Sequence, residues 1–229
     1  MQETSELYKR LLRTRGHRKE IALEVAGELY DENRIIGLHT YSRLFRNNQM
    51  EVGCAVAKEL RCTLRLPGDI PEAAELKPMC RLRYGDEVSE WVQKGEFYIY
   101  TREPNEEDKT VTIVAFDGMV RGDKVWEPDQ SLEFPMPMRT AALIIAELMG
   151  VELENPEAIS DVYTIDYPAN DWTQRNILQF IAAAHAGNFA MTDLGKLRLC
   201  GLNELPEPTH YLVDNYGGAI TFGGVRILV

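Results

Sequence analysis

The side chains of this 229-residue chain that could do chemistry are its four histidines, four cysteines and 36 carboxylates. The histidines, His17, His39, His185 and His210, are scattered, and no H-E-x-x-H pair places two of them on one helix face to hold zinc. His185 falls near the end of a predicted helix, where a cation is mildly favoured by the helix dipole. The cysteines, Cys54, Cys62, Cys80 and Cys200, form no C-x-x-C pair, and no histidine stands at ligand spacing from one. They predict small buried hydrophobes in a reducing compartment. No serine sits in a G-x-S-x-G elbow, and neither phosphate-cradling glycine loop, G-x-G-x-x-G or G-x-x-x-x-G-K-[ST], occurs.

Two carboxylates flanking a glycosidic bond could hydrolyse a glycan, so a cell-wall glycan hydrolase is a rival reading, and a small oligosaccharide- or peptide-binding barrel is another. The spacing singles out no acidic pair, and surplus surface acids account for the number equally well. Asp117-Gly118 and Gly122-Asp123 lack calcium-loop spacing and predict two turns flanking Met119–Arg121. Trp91, Trp126 and Trp172 fall on a strand, a connector and a helix start, which predicts core or staple residues rather than a sugar platform. The residues therefore predict no catalytic, cofactor-binding or metal-binding side chain, and no cofactor.

The formal charge is −11, with 45% apolar and 27% charged residues, a globular composition and not a disordered one. Residues 1–20 carry six basic against three acidic side chains, so the remainder holds −14. A body this acidic repels phosphates, which argues against specific nucleic-acid binding. The longest apolar run, Ala141–Met149, is far short of a membrane span and contains Glu147. The polar, basic start 1–16 lacks an apolar signal-peptide core. It reads as a terminal helix or arm, with Leu7/Leu11 and Tyr8/Leu12 as its docked side.

The elements that would position these residues follow from periodicity. Period-two alternation marks Arg61–Leu66, with Cys62, Leu64 and Leu66 on one face, and again Cys80, Leu82 and Tyr84. Gly85-Asp86 is a turn into Glu90–Lys94. Gly95–Thr101 and Lys109–Phe116 form a hairpin with Phe97, Ile99, Val111 and Ile113 inward, joined by the acidic loop Glu103–Asp108. His17–Tyr30 and Arg34–Leu38 add further strands, and many short strands predict a barrel or sandwich. The prolines of Trp126–Pro137 mark a connector. Two helices follow. Ala141–Met149 is capped by Thr140 and ended by a left-handed Gly150. The second has Thr173 as cap, Trp172 stapled onto Ile177, a buried stripe of Ile177, Phe180, Ile181 and Ala184, and a left-handed Gly187 at its end. Asn188–Thr192 and Lys196–Leu202 then form a hairpin. A connector bearing Pro206 and Pro208 leads to the strand-like stretch Ala219–Val229, which returns to the first sheet or opens a further unit.

The order of the pieces E-V-G-C-A-V-A-K-E-L, C-R-L-R-Y-G, W-V-Q-K-G-E-F-Y-I-Y, T-V-T-I-V-A-F-D-G-M-V and W-T-Q-R-N-I-L-Q-F-I-A-A-A-H-A-G-N-F-A-M-T-D-L-G-K-L-R-L resembles the tail-associated, baseplate-hub proteins of bacteriophages and prophages, from about Arg18 to Val229. The resemblance implies an α+β fold. Residues 1–16 would be a helix or arm, 17–125 an antiparallel β-barrel, 126–137 a connector, 138–202 a small domain of two helices and a β-hairpin, and 203–229 a connector and the first strand of a second barrel. It implies a non-enzymatic structural subunit of a tail tip, homotrimeric in the assembled tail, that caps the tail tube and meets distal-tail and tape-measure proteins. Such a subunit would be made in the host cytoplasm, with no signal peptide and no stable membrane insertion, and would end in the virion tail.

Overall fold

The computed structural model describes residues 3–46, 49–65, 70–129, 132–168, 171–202, 221–222 and 225–226. The alternating stretches build one large antiparallel sheet from β1 (Arg18–Val25), β2 (Glu28–Tyr30), β3 (Ile35–Tyr41), β4 (Glu59–Arg65), β5 (Glu75–Tyr84), β6 (Glu87–Val88), β7 (Val92–Gln93), β8 (Phe97–Asn105) and β9 (Thr110–Asp117). Its hydrogen-bonded order is β2-β1-β5-β8-β9-β4-β3, with β6 and β7 also on β5. Pairing sets the faces. Leu60, Cys62 and Leu64 of β4 stand opposite Ala115, Ile113 and Val111 of β9. All six are buried, together with Leu23, Val25, Leu76 and Phe97, in one core. Leu66 lies outside the described residues.

The expected barrel is not closed by hydrogen bonds, since the path has two ends, β2 and β3. A three-residue strand offers too few backbone groups to zip the ends together, and a register shift between Ile35 and Gly37 turns the start of β3. The β8–β9 hairpin forms as expected, with Phe97, Val111 and Ile113 buried and Ile99 partly so. Its loop is shorter than expected. Pairing continues to Asn105, whose Oδ1 accepts the N–H groups of Glu107 and Asp108 and closes a tight, exposed turn. A bulge between Ile99 and Thr101 pushes Tyr100 into solvent.

Helix α1 (Glu6–Arg13) is capped by Ser5, whose Oγ accepts from Tyr8 N. It docks through Leu11, while Leu12 is exposed, contrary to the expected pairing with Tyr8. One residue advances the helix by about 100°, so a helix resting on β5 by a narrow stripe cannot bury both leucines.

A second core lies beyond the connector. It is built from β10 (Met136–Pro137), α2 (Met138–Met149), β11 (Thr164–Ile165), α3 (Gln174–Ala184), β12 (Gly187–Met191) and β13 (Leu197–Gly201). Helix α2 starts at Met138 and not after Thr140, because Met138 N is already held by Tyr163 O beside the β10–β11 pair. Gly150 ends it at φ 66°, ψ 37°, as expected. Thr173 caps α3 in a reciprocal box, its Oγ1 accepting from Asn176 N at 3.1 Å while Thr173 N donates to Asn176 Oδ1 at 3.1 Å. The buried stripe is rotated from the expected one, with Gln174, Ile177, Leu178, Ile181 and Ala182 inside and Phe180 and Ala184 exposed. Trp172 accordingly meets Phe180 edge-on, at 6.2 Å between ring centroids. Asp117–Asp123 is not two turns but a single 3-10 helix, Gly118–Asp123, capped by Asp117.

The left-handed residue after α3 is Ala186, at φ 48°, and not Gly187. Gly187 already belongs to β12, where a Cβ would lie 2.8 Å from the carbonyl oxygen of Cys200. Glycine is needed there for close approach of two backbones and not for its torsion angle. Two opposite outcomes follow in urea unfolding. Gly187→Ala destabilises by about 1–3 kcal/mol through overpacking, whereas Ala186→Gly stabilises by about 1 kcal/mol by relieving the left-handed strain. Beyond β13, β14 (Thr221–Phe222) and β15 (Val225–Arg226) pair with each other. Pro206, Pro208 and most of 219–229 lie outside the described residues.

Candidate functional site

The residues with chemistry to offer are mostly spent on architecture. None of the four cysteines is in a disulfide; Cys54, Cys62 and Cys80 are buried, and burial pushes the Cys62 thiol up to about 12. His185 ties the end of α3 to the preceding loop. Its Nε2 accepts from Ser160 N at 2.8 Å, so its Nδ1 carries the hydrogen and donates to Ile181 O at 2.7 Å. His17 contacts Thr14 O, His39 is exposed on β3, and His210 lies outside the described residues. Trp91 lies under the Arg81 guanidinium at 4.4 Å. No group of three or more His, Cys, Asp or Glu side chains in metal-holding geometry occurs among the described residues.

The carboxylate with the chemistry of a general acid is Asp117. It is 1% exposed, and burial raises its pKa to about 6. Its position argues for bracing instead. Oδ1 accepts from Met119 N at 3.1 Å and Oδ2 from Lys58 N at 3.0 Å, so both oxygens are committed to the backbone. Lys58 continues the brace, its Nζ reaching Asp193 Oδ1 at 3.0 Å in the β12–β13 turn. Two buried asparagines work alike. Asn188 accepts from Cys54 N and donates to Glu51 O. Asn155 both donates to Leu199 O and accepts from Leu199 N, as a neighbouring strand would. Lys58 and Asn188 join the segment before β4 to the helical unit, and Asn155 ties the loop after α2 to β13 within that unit. No spacing rule marks them in the sequence.

The surface holds a different kind of feature. Ile165, Tyr167, Pro168, Trp172, Ile177 and Phe180 line a groove of about 460 Å³ between β11 and α3. Tyr167 is 73% exposed and Trp172 43%. Through Pro168 the groove adjoins a depression of about 590 Å³ lined by Val125 to Asp129, Leu132 and Phe134 of the connector. The described lining of the two carries Glu127, Asp129, Asp166 and Asp171 and no lysine, arginine or histidine. Trp126 lines the second depression. It is 1% exposed, and its indole Nε1 is buried without a hydrogen-bond partner among the described residues. This surface offers aromatic faces and negative charge, which suits binding. The polar-aromatic run T-I-D-Y-P, followed by Asp171 and Trp172, is its trace in the sequence, though only the fold brings it beside Trp126.

No protein-family model matches this sequence, and no curated protein matches it. Solved structures do. The 43 kDa tail protein of prophage MuSo2 from Shewanella oneidensis superposes with a TM-score of 0.53 at 17% identity, over 84% of this chain and 58% of that one. The likeness is to a phage tail protein. A tail protein from Neisseria meningitidis MC58 gives a TM-score of 0.50 at 12% identity, over 79% of this chain and 51% of its own. At these identities the shared feature is the tail-protein fold, and the chain spans little more than half the length of either protein.

Proposed function

We propose that this chain is a structural, non-enzymatic subunit of a phage or prophage tail, placed at the tail tip or baseplate hub where it caps the tail tube as part of a homotrimeric ring. The observation that carries this reading is the shared fold with the MuSo2 tail protein over 84% of the chain. The sheet supports it, since the exposed edges of β2 and β3 and the rigid turns between strands are what a subunit docking by shape requires. Its neighbours would be tube, distal-tail and tape-measure proteins. It would pass from the host cytoplasm into the virion tail. Among the described residues no helix is long and apolar enough to cross a membrane.

The test is deletion of the gene in an inducible lysogen followed by electron microscopy of the released particles, with antibody labelling of the complemented strain. Label at the tail tip, together with tails that fail to assemble in the deletion, is the expected result. Label along the whole tube would overturn the hub placement, and infective particles made without the chain would overturn the structural role.

A further inference from the structure

We propose that the acid-rimmed aromatic groove between β11, residues 125–129 and 132–134 of the connector, and α3 is a docking site for an extended polypeptide segment of another protein, one that alternates apolar with basic side chains. Two observations converge on it. The first is shape and apolarity. Tyr167, Trp172 and Phe180 are large rings left in solvent around one concavity, where a folded chain would ordinarily cover them.

The second is charge. The described lining contains four carboxylates and no cation, and Glu127, Asp166 and Asp171 take part in no ion pair among the described residues. The nearby arginines are already engaged, Arg139 with Asp161 at 2.6 Å and Arg175 with Asp123 at 2.9 Å. An acidic or neutral apolar segment would gain nothing from this rim, whereas lysine or arginine gains both the carboxylates and the ring faces. An extended segment supplies both at once, with side chains alternating between the groove and the rim.

The site is tested on the full chain by calorimetry with a synthetic peptide of about seven residues alternating Leu and Lys, long enough at ~3.3 Å per residue to run along both depressions. Two control peptides alternate Gly with Lys and Leu with Glu. The Leu/Lys peptide is expected to bind at least ~10-fold more tightly than either control. Glu127→Lys combined with Asp166→Lys, both on exposed side chains, and separately Trp172→Ala, should each weaken it by about the same factor. Equal binding of the Gly/Lys peptide would show bulk attraction to an acidic protein and overturn the proposal. So would unchanged binding by the charge-reversed variant. Self-association of the chain that the same substitutions abolish would also overturn it, assigning the groove to a second copy. None of these outcomes bears on particle assembly, so the groove and the tail reading fail separately.

Discussion

Phe97→Ala is expected to lower the free energy of unfolding by about 3–5 kcal/mol, the range for a fully buried aromatic ring cut back to a methyl group. Phe97 is fully buried at the start of β8, opposite Leu76. It also fills the space over Gly95, whose position a Cβ could take only by colliding with the Phe97 ring. The ring therefore packs against both the core and the chain that delivers β8 to it. Urea unfolding at neutral pH measures the effect. A loss below about 1 kcal/mol would mean that the site collapses around the smaller side chain and that Phe97 does not hold β8 in place.

Asp117→Ala should cost more in acid than at neutral pH, the reverse of the usual carboxylate. The substitution leaves the N–H groups of Lys58 and Met119 without acceptors inside the protein, at about 1–3 kcal/mol each. Against that, the wild type pays at neutral pH to keep a buried charge. Its folded pKa of about 6 lies above the ordinary 3.8, so the folded form binds the proton more tightly than the unfolded chain. The stabilising contribution of the protonated group is complete below about pH 4 and is lost as pH rises through 6. The deficit of the variant should therefore grow by about 1 kcal/mol between pH 7 and pH 5, and by about 3 kcal/mol below pH 4. Glu20 and Glu28 act oppositely. The guanidiniums of Arg83 and Arg81, and of Arg34, hold their carboxyls below the usual range, so their contribution fades as pH falls through those lowered values. Comparing wild type with variant at each pH cancels these shared groups. A deficit that shrinks in acid would show that Asp117 is not a desolvated brace.

Local patterns read well in the sequence, and long-range ones did not. Cys62 and Leu64 alternate with charged or polar neighbours, so β4 and its buried face were visible from six residues. Thr173 and Asn176 sit three apart, and a cap is decided within one turn. The failures share a cause. Whether the sheet closes depends on how β2 and β3 meet across the molecule, which no local period encodes. The phase of α3 was misread by one residue because Phe180 looks like core by type and is exposed by position. Asp117, Asn155 and Asn188 look like ordinary polar residues until the backbone groups they serve are buried around them. Gly187 was correctly marked as a required glycine for the wrong reason, since Cys200 lies 13 positions away in sequence and the two meet only across the hairpin. The groove is the least legible feature, because Trp126 and Trp172 belong to separate elements that two backbone bonds, Trp126 N to Trp172 O at 2.7 Å and Gln174 N to Lys124 O at 2.9 Å, bring together.

The junction of β5 and β8 has a mechanical consequence. Eight register pairs join β1 to β5 and eight join β8 to β9, but only Glu75–Tyr98 and Leu76–Phe97 join β5 to β8. The sheet is thus creased along one line, where β7 adds only Met79–Gln93 and Cys80–Val92 to the edge of β5. Across the crease the β1–β2–β5 panel and the β8–β9–β4–β3 panel are held together mainly by side chains, Leu23, Val25 and Leu76 packing in one core with Leu60, Phe97 and Ile113. Amide hydrogens along β4 and β9 should then exchange late and as one block, with those beside the crease exchanging earlier through the smaller opening. Loss of packing in that core is therefore felt first along this line, while each panel keeps its own register.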